Sequence, residues 1–269
     1  MLIHNGLFWT DLTNRKLGGM PNSSKMSKTY KVSYKTFLND RLKKVHFHGE
    51  ITHPLYIHVT YNRKTIFFKS YYFELFSKHR YILFSSGKKR GPTIEQIIEK
   101  EKELIDFVID TTLLDFSLDR FKEEYLFFGR DLCDLTEPGF SDYLFTFFHD
   151  KGMPALATTI KEGGKFRILY DVVRDMKIAL SKSLYNELIE NSFYYAPPYL
   201  LLFGFMIQTK KWPMLSLSIM EWEDVKVRND FSEYILKNFP SQNVKEIEEP
   251  VNKWLTYLRK GRVFIKTPQ

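Results

Sequence analysis

One group of polar residues has the types and spacing that metal-dependent phosphate chemistry requires. Glu221, Glu223, Asp224 and Lys226 follow the apolar stretch MLSLSIM. In metal-dependent nucleases, carboxylates placed in this way bind Mg²⁺, and a lysine stabilises the charge that develops on the phosphate. The pattern is short and common, and no partner acid is evident upstream. A solvated acidic turn is therefore the favoured interpretation.

Four histidines, His46, His48, His53 and His58, lie close together in the sequence and raise the possibility of a zinc site. Structural zinc sites normally include cysteine ligands, and the single cysteine of the chain, Cys133, is remote in sequence. Ordinary polar histidines in a loop and a strand are the simpler interpretation. We predict neither a metal site nor a cofactor.

Positive charge is concentrated in the first third of the chain. Residues 25–90 contain 15 Lys and Arg against three acidic residues, a net charge of +12 within a chain whose total is +8. From residue 91 onward the net charge is −5. Binding to a polyanion releases counterions, so a concentrated basic segment is typical of proteins that bind DNA or RNA. A solvated basic surface is the alternative that charge alone leaves open.

The remaining composition limits the class of protein. The chain has 269 residues, of which 43% are hydrophobic, enough for one large core or two to three small ones. No apolar run approaches the roughly 20 residues that a membrane-spanning helix needs. The N-terminus lacks the features of a secretory signal, and one cysteine excludes an internal disulfide. We expect a cytoplasmic protein without a membrane partner, with residues 1–29 poorly ordered and Met1, Met20 or Met26 as alternative starts.

Strand signals extend from Tyr30 to Phe76. β-Branched and aromatic residues enrich YKVSYKTF, LYIHVTY and TIFFKSYYF, and a polar, basic connection, NDRLKKVHFHGE, separates the first two. Asn62-Arg63-Lys64 is a short polar connection that suits a hairpin between the last two. These segments predict a three-stranded antiparallel sheet.

The middle strand alternates with a period of two, which places successive side chains on opposite faces of the sheet. One face can then pack inward while the other stays open to a ligand. The predicted inward residues are Leu55, Ile57, Val59 and Tyr61, and the predicted outward residues are Tyr56, His58 and Thr60.

Helical periodicity dominates after a basic linker at residues 85–92. Thr93 and Gln96 form a capping-box signature at the start of the first long helix. Further amphipathic helices are predicted from Ser117, from about Pro138 to Asp150, and from Phe166 to Leu180. A final helix is predicted near residues 251–260.

The sequence thus predicts an α+β fold, with a small three-stranded antiparallel β-sheet module followed by a mainly α-helical region. The predicted divisions are a disordered segment at 1–29, the β-rich module at 30–84, a four-helix domain at 93–181, and a divergent, mainly helical region at 182–269.

The order of these elements resembles that of tyrosine recombinases, the integrases of phages and conjugative transposons, especially the Bacteroidetes group. YKVSYKTFLNDRLKK and PLYIHVTYNRKTIFFKSYYF are similar to the family's arm-type DNA-binding domain, although His58 stands where the family often has Arg. FSLDRFKEEYLFF and the stretch from Leu135 to Lys177 resemble its core-binding domain. The resemblance covers about residues 28–181 and implies that double-stranded DNA is a partner.

The C-terminal region departs from that family. A tyrosine recombinase needs an early Arg, a His-x-x-Arg motif and a nucleophilic Tyr. The last histidine is His149, so residues 182–269 cannot supply the motif. The resemblance therefore implies a non-catalytic, integrase-like protein of a mobile genetic element, an accessory to DNA recombination and integration that could also contact a recombinase. A metal-dependent nuclease, a degenerate recombinase acting with a partner, and a protein-interaction module are the alternatives.

Two kinds of DNA contact are expected. Lys and Arg side chains would hold phosphates, while polar side chains on the open face of the sheet would reach base edges. Arg167 and Arg174, seven residues apart, would share one face of the last predicted core-binding helix, although simple helix solubility explains them equally well. The predicted DNA-binding residues are Lys31, Lys35, Arg41, Lys43, Lys44, Tyr56, His58, Thr60, Arg63, Lys64, Lys69, Arg167 and Arg174.

Overall fold

The computed structural model describes residues 31–78, 81, 83–85, 88–209 and 215–264. They form two compact units. The first unit takes the described residues up to Lys78 and those from Phe84 to Phe127, and the second takes the others. The predicted disorder of residues 1–29 lies outside the described residues. None of the described helices is both long and apolar enough to cross a bilayer.

The first unit contains the three-stranded antiparallel sheet that the sequence predicts. Its strands are β1 (Ser33–Leu38), β4 (Leu55–Tyr61) and β5 (Lys64–Lys69), in the order β1-β4-β5. Two short hairpins accompany it: β2 (Val45–Phe47) with β3 (Glu50–Thr52), and β6 (Leu83–Ser85) with β7 (Lys88–Arg90). The β-sheet followed by helices confirms the predicted α+β class.

Two of the hairpin turns, those between β4 and β5 and between β2 and β3, use residues with positive φ. Asn62 (φ 49°) and Arg63 (φ 63°) connect β4 to β5, so Lys64 pairs with Tyr61 and opens β5 instead of belonging to the connection. His48 (φ 46°) and Gly49 (φ 99°) connect β2 to β3 in the same way, inside the segment predicted as a plain connection. Two-residue turns of this kind match the twist of the paired strands, which explains why a short polar pair is sufficient.

The facing of β4 is as predicted. Leu55, Ile57 and Val59 are completely buried, whereas Tyr56, His58 and Thr60 are partly exposed. The β-sheet alternation therefore divides the strand into an inner face and an open face. Tyr61, predicted to point inward, is only partly buried and its ring lies 4.7 Å from that of Phe116.

Three helices belong to the same unit as the sheet: α1 (Tyr71–Ser77), α2 (Ile94–Thr112) and α3 (Leu118–Phe128, divided from the second unit after Phe127). The Tyr34 hydroxyl of β1 donates to Asp106 of α2 at 2.7 Å, and the Phe68 ring of β5 lies 4.9 Å from that of Tyr125 in α3. The helices thus cover the inner face. α2 and most of α3, which the sequence analysis assigned to the four-helix domain at 93–181, fall in the same compact unit as the sheet.

The segment SYYF was predicted to continue the third strand, and this prediction is wrong. Ser70 caps α1 by accepting the amide of Phe73, and Tyr72, Phe73, Leu75 and Phe76 are buried. Tyr and Phe favour strands, but this burial follows helical spacing and the cap stops β5 at Lys69.

A buried glutamate supports the start of α1. Glu101 of α2 is completely buried and accepts hydrogen bonds from the hydroxyl of Ser70, the amide of Tyr72 (3.0 Å) and the hydroxyl of Tyr125 (2.6 Å). The Tyr125 oxygen in turn accepts the amide of Tyr71 at 2.8 Å. The amides at the start of a helix have no acceptor within the helix. Here Tyr125 of α3 and Glu101 of α2 accept the amides of Tyr71 and Tyr72.

Burial also governs the ionisation of this group. It raises the pKa of Glu101 from its ordinary 4.5 to about 7, although the three hydrogen bonds oppose the shift. Burial, followed by the nearby Glu101 charge, raises the pKa of Tyr125, so its hydroxyl remains a donor at neutral pH.

The second unit is helical. Its helices are α4 (Leu132–Asp150), α5 (Pro154–Gly163), α6 (Leu169–Ala179), α7 (Lys182–Tyr195), α8 (Tyr199–Thr209), α9 (Ile219–Glu223), α10 (Val225–Asn238) and α11 (Val244–Phe264). The first of these begins six residues earlier than predicted, because Asp131 caps it and Pro138 is accommodated inside it. The sequence analysis missed α5 and made the last helix too short. It predicted a mainly helical region from residue 182 but gave no bounds for α7 to α10.

A buried glutamate and a tyrosine also hold the start of a helix in the second unit. Glu137 of α4 is buried and accepts the hydroxyl of Tyr199 (3.0 Å) and the amide of Leu169 (3.3 Å), while the Tyr199 oxygen accepts the amide of Tyr170 at 3.2 Å. The last two of these bonds give the first amides of α6 their acceptors, since Ile168 before the helix makes no side-chain cap. In each unit a Glu–Tyr pair therefore fixes one helix from outside that helix.

Truncation on the two faces of β4 should have unequal costs. Ile57→Ala should lower the free energy of unfolding by about 2–5 kcal/mol, because it removes fully buried methyl and methylene groups. Thr60→Ala, the matched control on the open face, should cost less than about 1 kcal/mol. Urea unfolding of both variants measures the difference. A larger loss for Thr60→Ala would show that the facing is reversed.

Glu101 should make the stability of the first unit depend on pH. Because its pKa is higher in the folded protein than in the unfolded chain, folding takes up a proton between these values, and stability falls as pH rises from about 4.5 to about 7. The change attributable to Glu101 is about 3 kcal/mol. In Glu101→Gln, which keeps the shape, unfolding measured across this range should lose that slope. An unchanged slope would contradict the assignment.

Candidate nucleic-acid interface

The open face of the sheet is defined by the pairing register. Lys35 pairs with His58, which pairs with Phe67, and Phe37 pairs with Tyr56, which pairs with Lys69. Residues that pair directly point to the same face. Together with Ser33, Thr60 and Thr65, these six residues form what we call the open face. Strands β1, β4 and β5 contain three lysines and no acidic residue.

The centre of the open face carries a polar chain that could meet hydrogen-bonding partners. His58 Nε2 lies 3.2 Å from the Thr60 hydroxyl, which lies 3.1 Å from the Thr65 hydroxyl. Partial burial, and then the charge of Lys35, lower the pKa of His58 below 6.5. The imidazole is therefore neutral at pH 7 and can donate or accept a hydrogen bond.

Cationic side chains lie at both ends of the strands. Arg41, Lys43 and Lys44 are exposed in the loop after β1, which is held beside the start of β4 by a hydrogen bond from the Asn39 amide to the Pro54 carbonyl (2.9 Å). At the opposite end, Arg63 and Lys64 are exposed in and after the hairpin turn. Lys31 precedes β1 and is exposed at that same end. A strand of six residues spans about 20 Å, so the two cationic groups bracket the face.

The contacts of these cationic side chains decide which of them can neutralise a phosphate. Within the part of the chain that the structure describes, Arg41, Lys43, Lys44, Arg63 and Lys64 form no ion pair. Lys69 differs, because its ammonium lies 2.7 Å from Glu74. The Lys35 ammonium lies 5.6 Å from the centre of the Phe37 ring, so this lysine also rests on the face. The charge of Lys69 is thus offset by a neighbouring carboxylate, unlike the charges of these five end residues.

The two predicted arginines of the second unit do not share a helix face. Arg167 is in extended backbone before α6 begins at Leu169, whereas Arg174 lies inside that helix. Arg174 also pairs with Asp171 (2.8 Å) and Asp175 (3.2 Å), which offsets its charge. This pairing favours the alternative that the sequence left open, a soluble helix surface.

The acidic group proposed for a nuclease has structural roles. Glu221 completes a capping box with Ser218, and Asp224 caps α10. Glu223 pairs with Arg259 at 2.6 Å. These contacts support the interpretation of a capped acidic turn.

The four histidines are also spread over different environments. His46 lies on β2 and is exposed, while His53 Nδ1 lies 2.9 Å from the Leu42 carbonyl. Among the described residues, no group of three or more His, Cys, Asp and Glu side chains is placed to hold a metal ion.

The second unit contains a cavity of about 310 Å³ lined in part by Tyr170, Tyr185 and Tyr234. Burial raises the pKa of all three phenols, that of Tyr234 to about 12, so they are protonated at neutral pH. The volume is at the lower end of the range of roughly 300–1,000 Å³ for small-molecule sites. The cavity offers hydroxyl groups and apolar rings, a chemistry unlike that of the open face.

Comparisons with protein families, with curated proteins and with solved structures find no match to this chain. The candidate site is therefore defined by its own residues. Sequence reasoning found the outward residues of β4 and the cations but missed Ser33, Phe37, Thr65 and Phe67. The hairpin between β4 and β5 could have revealed Thr65 and Phe67. A two-residue turn sets the register of the two strands, and that register places Phe67 opposite His58.

Proposed function

We propose that the chain binds double-stranded DNA through the open face and acts as a non-catalytic, integrase-like protein of a mobile genetic element. The observation that carries the proposal is the charge pattern: three strands without an acidic residue, bracketed by exposed cations at both ends. Phosphates line both edges of a DNA groove, and base edges lie between them. The face has the corresponding order of cations, then polar and aromatic groups, then cations.

The dimensions of the sheet fit the same partner. A strand of six residues spans about 20 Å, so strands that lie across the groove would bring the cations at their two ends to the phosphates on its two edges. The major groove of B-DNA is about 12 Å wide and is known to admit β-structure. A neutral His58 and the hydroxyls of Thr60 and Thr65 could then reach the donors and acceptors of base pairs.

The resemblance to tyrosine recombinases supports the arm-type part of the proposal more than the core-binding part. The arm-like segments supply β1, β4 and β5, which form one sheet. The core-binding-like segments run from α3 to α6 and are divided between the two compact units. The accessory role in recombination or integration is the part of the proposal that rests on the resemblance of the arm-like segments alone.

A protein-interaction module is the second candidate. Phe67 is 60% exposed on the open face, and an exposed aromatic residue of this kind also serves as an anchor at protein interfaces. An acidic protein surface would satisfy the cations as well, but its binding would depend less steeply on salt, because it carries no layer of condensed counterions to release.

Binding of the full chain to a duplex of about 24 base pairs should weaken steeply with salt. If the five unpaired end cations each meet one phosphate, the slope of log affinity against log salt is about −4.5. Fluorescence anisotropy at several salt concentrations measures this slope. A flat dependence, or no binding at low salt, would overturn the proposal.

Removing the hairpin charges should weaken binding to all sequences alike. We choose Arg63→Asn with Lys64→Gln, since Asn tolerates the positive φ of position 63. The loss of two phosphate contacts should reduce the salt slope by about 2. Lys226→Gln with Lys237→Gln removes the same charge from α10 and is the matched control. An equal effect of the two pairs would assign binding to net charge and not to the open face.

A further inference from the structure

Four rings form one cluster on the open face. His58 and Phe67 stack with their centres 4.5 Å apart and an angle of 18° between their planes. The Phe37 ring lies 6.4 Å from that of Phe67 in an edge arrangement and 6.3 Å from that of Tyr56. The cluster is therefore continuous across all three strands, and Phe67 is its most exposed member at 60%.

The packing of these rings determines which surface they offer. One face of Phe67 is covered by His58, and Phe37 approaches the same ring edge to face. Proteins that stack single-stranded bases need open ring faces. Here one face of Phe67 is already occupied by His58 and Phe37 meets the ring in an edge arrangement, so the ring is held as a firm apolar contact with at most one face left for stacking.

The surroundings of the cluster identify its partner by charge. Lys35 and Lys69 belong to the same face, and the exposed cations lie at the strand ends. An apolar contact surrounded by positive charge suits a polyanion that carries a small apolar group within its groove. In the major groove of DNA, that group is the C5-methyl of thymine, and Phe is among the side chains that contact it.

We propose that Phe67, held by His58 and Phe37, contacts thymine C5-methyl groups in the major groove and gives the protein a preference for thymine-containing sites. This inference rests on the proposed function, since it requires the open face to lie in the groove. It assigns base recognition to a residue on β5, whereas the sequence pointed only to β4. His58 is then a positioning residue for the ring as well as a possible hydrogen-bonding group.

The test uses thymine and uracil, which differ by that methyl group alone. A duplex with a random core is enriched for sequences bound by the full chain, and each thymine of the best duplex is then replaced singly by deoxyuridine. Loss of one buried methyl should weaken binding about fourfold, the factor that corresponds to about 0.8 kcal/mol. We expect this loss at one or more positions for the unmodified protein.

The variant Phe67→Ala should bind thymine and uracil duplexes equally, while keeping its salt slope. Phe67→Leu should restore part of the difference, because it returns an apolar contact. Ile51→Ala is the matched control, since Ile51 is an equally exposed apolar residue (64%) on β3 and should leave the ratio unchanged.

The outcomes separate the two proposals. Salt-dependent duplex binding by a protein that does not distinguish thymine from uracil would overturn this inference and leave the proposed function in place. A methyl preference that survives in Phe67→Ala would also overturn it, by assigning the contact to another residue. Absence of salt-dependent binding to any duplex would remove the proposed function itself.

Discussion

The arrangement of the first unit depends on one buried carboxylate. Glu101 sits inside α2 and accepts bonds from both the start of α1 and the hydroxyl of Tyr125 in α3. A buried carboxylate is costly unless its hydrogen bonds are satisfied, so these elements must meet at one point. Because α1 follows β5 directly, fixing α1 also fixes which face of the sheet the helices cover. The open face is a consequence of that choice.

The candidate site is built from the residues that the helices leave uncovered. The apolar side chains of β4 pack in the core. Because side chains alternate along the strand, Tyr56, His58 and Thr60 lie on the open face. The strands carry lysines without acids, and the cations gather where the chain turns, at the loop after β1 and at the hairpin. Turns favour polar residues, which places these charges at the two ends of the open face.

Local features could be predicted from the sequence, and features that depend on distant contacts could not. The alternation of β4, the hairpin and the Thr93–Gln96 capping box all depend on neighbouring residues, and the structure confirms them. The helix α1 was missed because its stability comes from Glu101 and Tyr125, far away in sequence. Glu101 shares the apolar stripe of Ile97 and Leu104, so its burial was visible in principle. Predicting the ring cluster would have required the pairing register of the three strands, which composition does not give.

Hydroxyl-radical footprinting of the full chain, with and without saturating duplex DNA at low salt, tests the central claim most directly. Oxidation of Phe67 reports on the open face, and Tyr194 (71% exposed) and Tyr195 (76% exposed) of the second unit serve as internal references. We expect the duplex to reduce oxidation of Phe67 and Tyr56 several-fold while the two reference tyrosines stay unchanged. Equal oxidation of Phe67 in the free and bound protein would show that DNA does not lie on the open face.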